Sequence, residues 1–281
     1  MNETDLPALL SAAGLGSQSA AITQFARPAL RLSATPTDEA AIAVGTSKLG
    51  GMPDLPPNAS WPEWKGIPQS FIAQIRLADL HALDAAHDLP AAGTLWFFYD
   101  AKGETYGADP ADRGGWRVLF SANTPTLQRT AFPATLSAAS CFTACALTPT
   151  AVTTLPQSAA EGETSTTFTA DEQKRYEQFL TTWPTTAPSP TPRHQLLGYP
   201  LTLQDDMRGA CEALAHGVAT SDPRAASMLT HADRWRLLLQ VDSDAAAGMH
   251  WGSAGMLYYW IERDALAAGR FENVWLMQQS D

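Results

Sequence analysis

Phe71-Ile72-Ala73-Gln74-Ile75 leads through Ala78-Asp79 to Gly93-Thr94-Leu95-Trp96-Phe97-Phe98. The same order returns as Leu237-Leu238-Leu239-Gln240-Val241, Ser243-Asp244 and Gly255-Met256-Leu257-Tyr258-Tyr259-Trp260. Each copy is an apolar run with a central glutamine, a small-Asp step, then a glycine opening an aromatic run. Short apolar and aromatic runs bounded by turn residues are strands. Two hairpins of similar composition converging by chance is one reading, and internal duplication is the other. Duplication predicts one continuous β core, with Gln74 and Gln240 at equivalent strand positions near a pseudo-twofold axis. A buried amide needs partners for its donors and its acceptor. Loop backbone supplies them most simply, pinning a proline-rich segment against the sheet.

Outward from these runs, Leu30 and Leu32, and Ile42 and Val44, alternate with polar residues and predict two short strands. Trp116–Phe120 and Asn273–Gln278 predict two more. Residues 50–68 hold Gly51, Pro53, Pro56, Pro57, Pro62, Gly66 and Pro68. That proline density excludes a helix or a central strand and predicts a long ordered loop. Residues 121–168 are rich in Thr, Ala and Ser, with a mobile loop expected at 157–167.

Helical patterns cover Asp5–Phe25 (broken at Gly14-Leu15-Gly16), Asp171–Trp183, Asp205–His216 and Asp264–Ala268. Tyr176, Phe179, Leu180 and Trp183 fall on one face of the second of these. Pro184–Pro192 stops it as a stiff connector. The fold class is therefore mainly β (α+β), with a few peripheral helices. The expected organisation is one domain over 1–281, with residues 1–27 as a helical extension.

The chain has 281 residues and a formal net charge of −11. Negative potential repels phosphate backbones and anionic lipid, so nucleic acid and membrane surfaces are poor partners and a basic protein a better one. The start, Met1-Asn2-Glu3-Thr4-Asp5, is acidic where a secretory signal needs positive charge. No apolar run approaches the roughly 20 residues that cross a bilayer. Three cysteines, Cys141, Cys145 and Cys211, are too few and odd in number for a disulfide framework. These features predict a cytoplasmic location, with the thiols acting as small hydrophobes.

Ser47-Lys48-Leu49-Gly50-Gly51-Met52-Pro53, Leu55-Pro56, Trp61-Pro62 and Phe71–Ile75 resemble the opening of the YwqG-like family of uncharacterised bacterial proteins. The likeness continues through Gly93–Tyr99, His194-Gln195-Leu196-Leu197-Gly198-Tyr199-Pro200, Trp235–Asp244, Gly248–Gly252 and Phe271–Gln278. It spans about residues 28 to 279 and is weak from 121 to 193. The resemblance implies a β-roll-like core in one domain, and no reaction. It departs at Arg76, and at Ser253, where an aspartate is common. The second departure removes a third carboxylate from beside Asp242 and Asp244.

Asp242-Ser243-Asp244 is the nearest approach to a chemical motif. Two carboxylates after a strand can ligate Ca²⁺ or Mg²⁺ or do acid–base work, but Ala245-Ala246-Ala247 supplies no further ligands. The simpler role is to open a turn by bonding nearby backbone N–H groups. No His-x-x-x-His, Gly-x-Ser-x-Gly or phosphate-cradling glycine loop occurs, so the sequence predicts no metal, no cofactor and no catalytic set. Trp61, Trp64, Trp183 and Trp251 lie in or beside Pro- and Gly-rich loops. Each is either a roof on the core or a partner anchor.

The function expected is a non-enzymatic binding protein: an immunity-type inhibitor that neutralises a bacterial toxin. Trp251, Trp61, Asp242 and Asp244 are its candidate contacts. The alternative is a small-molecule binder or enzyme with a pocket between the repeated halves, contacted by Gln74, Gln240 and Asp242.

Overall fold

The computed structural model describes residues 5–123, 126–157, 168–189 and 191–280. Its strands are β1 (Arg27–Pro36), β2 (Lys48–Leu49), β3 (Asp54–Leu55), β4 (Glu63–Trp64), β5 (Ile67–Pro68), β6 (Ser70–Arg76) and β7 (Thr94–Tyr99). Then come β8 (Trp116–Ser121), β9 (Gln128–Arg129), β10 (Cys145–Thr154), β11 (His194–Leu196), β12 (Trp235–Asp242), β13 (Met256–Glu262) and β14 (Trp275–Gln279). The helices are α1 (Leu6–Ala12), α2 (Ser19–Phe25), α3 (Ala170–Leu180), α4 (Arg208–Ala215), α5 (Ala225–Met228) and α6 (Arg263–Ala267).

Ten strands form one antiparallel sheet in the order β14-β13-β12-β11-β1-β10-β2-β6-β7-β8, bent into a nearly closed barrel. Its edges meet through side chains rather than a ladder. The Trp116 indole donates to Val274 O at 2.9 Å, the Trp275 indole donates to Gly107 O at 2.9 Å, and the two rings touch edge to face. Gly107 has φ 72°, and a Cβ there would lie 1.7 Å from Leu276 O, so only glycine permits this seam. The seam covers part of both edges, and the Gln278 N–H of β14 is satisfied by Tyr106 O at 3.0 Å. The interior is filled: Phe97 and Tyr259, from opposite flanks, meet at 5.1 Å among Leu30, Leu32, Ile75 and Val241.

The two flanks share their irregularities. β6 slips register between Phe71 and Ala73 against β7, and β12 slips between Leu237 and Leu239 against β13. Gln74 opposes Lys48 and Trp96, while Gln240 opposes Gln195 and Tyr258. Gly50 and Gly51 have φ of 61° and 68°, and Leu197 and Gly198 have 61° and 69°. The two ten-residue strands β1 and β10 pair along their full length at the centre. There Leu30 opposes Leu196 as Cys145 opposes Leu49.

Both glutamines are buried, and both bind loop backbone. Gln74 Nε2 donates to Thr46 O at 2.9 Å and Asp54 Oδ2 at 3.0 Å, while its Oε1 accepts from Asp54 N and the Trp96 indole. Gln240 Nε2 donates to Arg193 O and its Oε1 accepts from Leu201 N, both at 2.8 Å. Thr46 and Arg193 each stand two residues before the strand partner of their glutamine, and Asp54 and Leu201 each six after it.

Two sequence expectations change. Ile42–Val44 is a turn rather than a strand: the Ile42 carbonyl accepts from Arg129 at 2.8 Å, and Val44 is 52% exposed. The polar stretch 145–154 is a central strand. Pro149 is tolerated because it lies beyond the two residues that pair with β2, where β10 has one strand neighbour. Thr169 and Glu172 form a capping box that opens α3. Its buried Tyr176, Phe179 and Leu180 join Trp183, Leu6, Leu10 and Ile22 in a satellite core with α1 and α2. The loop expected at 157–167 lies, but for Gln157, outside the described residues.

Candidate functional site

Asp242 and Asp244 follow β12, and the structure brings both to His194 at the start of β11. The Asp242 N–H donates to His194 Nδ1 at 3.2 Å, so the opposite ring nitrogen carries the proton and Nε2 donates to Asp244 Oδ2 at 3.2 Å. The His194 bond, ahead of the opposing effect of burial, holds the Asp244 carboxyl below the usual carboxylate range; the Ala247 and Ala246 N–H groups add to it. Asp244 thus opens a turn, as its sequence context predicts, and also orients His194. With both nitrogens engaged, His194 has none left for a substrate proton.

Beside this pair lies a cleft of about 340 Å³, lined among others by Arg31, Ser33, Val152, Thr185, His194 and Asp244. Leu30 and Leu32 point into the core, so Arg31 between them points out of the barrel. Arg193 is buried, and its guanidinium donates to Thr186 O and Ala187 O, while its N–H donates to Asp242 Oδ2 at 2.9 Å. Burial, then the neighbouring Arg193 charge, lower the Arg31 pKa from its ordinary value, with Asp242 opposing.

The tryptophans separate by burial. Trp251 is 5% exposed: its ring packs edge-on against Tyr99 and Phe142, and its N–H donates to Asp242 O at 3.2 Å. It roofs one end of the barrel. Trp61 is half-buried against Phe98 and Phe132, and its N–H donates to Gln69 O at 2.9 Å. Trp64 is half-buried too, with its ring beside Gly114, and Tyr106 is 52% exposed. These three aromatics, Trp61 and Tyr106 on loops and Trp64 in the short hairpin β4–β5, stand at the end where β6 begins and β7 finishes. Trp183, in contrast, is buried in the satellite core.

A different cluster sits by β2. Lys48 is fully buried, with Nζ 3.1 Å from Glu39 Oε1 and 3.5 Å from Asp54 Oδ2, and it also donates to Met52 O. Arg129 closes the network on Asp54 at 2.8 Å and Glu39 at 3.1 Å. Burial raises the Asp54 carboxyl, but Arg129, Gly45 N–H, Gln74 and Lys48 together bring it below its ordinary value. With Gln74 and Gln240 committed to loop backbone, neither amide is available to a ligand.

Among the described residues one set of donors meets the geometry of a metal site: Glu212, His216 and Glu262, within 4.8 Å of one another. The sequence signal was Glu212 on α4 and His216 at its C-terminal cap, spaced i,i+4, which a search for paired histidines passes over. Arg234 already contacts both carboxylates, at 3.2 and 3.6 Å. The thiols are unactivated: burial, with Asp244 adding, pushes Cys145 up to about 11, and burial likewise raises Cys141 and Cys211. No helix among the described residues is long and apolar enough to cross a membrane.

A family model described as Domain of unknown function (DUF1963) matches residues 47–279. No curated protein matches the chain.

Proposed function

This chain belongs to that domain family of unknown function, and we propose that it is a non-enzymatic binding protein: an immunity-type inhibitor that neutralises a bacterial toxin by direct contact. The observation that carries this reading is the set of half-exposed aromatics, Trp61, Trp64 and Tyr106, on the loops and the β4–β5 hairpin at one end of the barrel. Aromatic side chains already held in place bury area on a partner at small entropic cost. The net charge of −11 favours a basic partner and steers it over long range. Asp242 and Asp244 lie at the same end, with Trp251 beneath them as support. A cytoplasmic location and the YwqG-like name go with this reading.

We also infer that the sheet is an internal duplication, β1-β2-β6-β7-β8 followed by β10-β11-β12-β13-β14, with the two long first strands exchanged. The matching bulges, the left-handed residue pairs and the glutamine-to-loop bonds support it.

The test is growth rescue and pull-down with the product of a toxin gene adjacent to this one. Trp61→Ala should weaken binding by ~2 kcal/mol, and association should slow several-fold between low and physiological salt. Absence of any complex with the neighbouring product would remove the inhibitor role. A second reading, a small-molecule binder with a pocket between the halves, is favoured by the cleft at Arg31.

A further inference from the structure

We propose that the cleft at Arg31 binds a small organic acid, its carboxylate on the Arg31 guanidinium and an amino or hydroxyl group toward Asp244. This rests on the second, small-molecule reading. The Arg31 guanidinium makes no hydrogen bond and no ion pair within 4 Å among the described residues, although the residue is half-buried. Several of the polar groups around it are committed. Arg193 is spent on Thr186 and Ala187, His194 on Asp242 N and Asp244, and Asp244 Oδ1 on the N–H groups of Ala246 and Ala247. The cleft therefore leaves the Arg31 guanidinium without a direct hydrogen-bond partner, with Asp242 acting on it only through space.

A planar guanidinium with five donors matches a carboxylate in bidentate fashion. Arg193 beside it offsets part of the negative charge of Asp242 and Asp244, so a carboxylate is tolerated at Arg31. A volume of about 340 Å³ stands at the small end of ligand pockets, which suits a metabolite rather than a peptide. Asp244 on the facing wall keeps lone pairs for a donor, so the ligand carries both signs of hydrogen-bonding group. The floor is the central pair: Arg31 and Ser33 come from β1, and Val152 from β10. The position opposite Lys48 that corresponds to Arg31 is Ala146, so the other flank has no such cation.

The experiment is a thermal-shift screen of the full chain with the amino acids and small 2-hydroxy acids, with acetate and inorganic phosphate as controls, followed by titration calorimetry. At about 100 times Kd a true ligand should raise Tm by several degrees, roughly 5–10 °C. Arg31→Ala, whose side chain holds nothing else in place, should abolish the shift, and Asp244→Asn should reduce affinity at least fivefold for the amino or hydroxy acid. Stabilisation by phosphate alone would overturn the carboxylate assignment while leaving the small-molecule reading. No stabilisation by any probe, or an equal shift in Arg31→Ala, would overturn the site itself. Toxin rescue unchanged in Arg31→Ala separates this site from the aromatic surface.

Discussion

The two flanks of the barrel use the same backbone and different electrostatics. Beside β6, Lys48 reaches the carbonyl of Met52; beside β12, Gln195 reaches the carbonyl of Tyr199 at 2.8 Å. Ser47 Oγ accepts from Arg76 N at 2.9 Å where His194 Nδ1 accepts from Asp242 N. The first flank meets the Met52 carbonyl with a buried charge, and recruits Glu39, Asp54 and Arg129 around it. The second solves the same contact with an amide, and its charges gather at the cleft instead. Backbone bonds set the architecture; the side chains around them differ between the flanks.

The largest effect should come from Gln74. Gln74→Leu strands Thr46 O and Asp54 N and should cost about 4 kcal/mol, against about 3 for Gln240→Leu, which strands Arg193 O and Leu201 N. Denaturant unfolding of both variants checks the order, and equal costs would break the contrast. Next, Lys48→Gln installs the second flank's residue in the first and should cost about 3 kcal/mol, because Asp54 loses one of its two cations. Adding Asp54→Leu, the residue type found at 201, should recover at least half of that. A purely additive double variant would mean that the two sites do not interact.

The smallest effect concerns acid. Asp54 and Asp244 are both depressed in the folded state, so their contribution is present above an unfolded carboxyl value of ~3.9 and is lost as pH falls through the folded values. Asp244→Asn should cost about 1 kcal/mol at neutral pH and flatten the stability profile below pH ~4. An unchanged acid limb would show that His194 does not hold that carboxylate.

The strands flanking Gln74 and Gln240 were legible because apolar and aromatic runs bounded by turns have few other solutions. The strand Cys145–Thr154 was not, since Thr, Ala and Pro149 carry little hydrophobic pattern and its place is set by full-length pairing with β1. The duplication signal also reached further than the runs. Lys48-Leu49-Gly50-Gly51-Met52-Pro53 and Gln195-Leu196-Leu197-Gly198-Tyr199-Pro200 align residue for residue, a match visible in the sequence once the glutamine partners are known. Asp244 was singled out as a turn former, but its partner His194 stands 50 residues earlier, beyond any local pattern. Arg31 carried no signal, because an arginine without a partner looks in sequence like any other.

The position of β1 has a consequence for synthesis. It is the first strand to leave the ribosome, yet both of its neighbours are made much later: Thr154, which meets Arg27, comes 127 residues on, and β11 follows after that. At the usual ~5–20 residues per second the strand waits on the order of ten to thirty seconds for its sheet partners. Its exposed alternation of Leu30 and Leu32 is then open to any passing edge. A nascent chain of this design is a natural client for ribosome-proximal chaperones, and the central pair of the barrel can assemble only after Thr154 has been made.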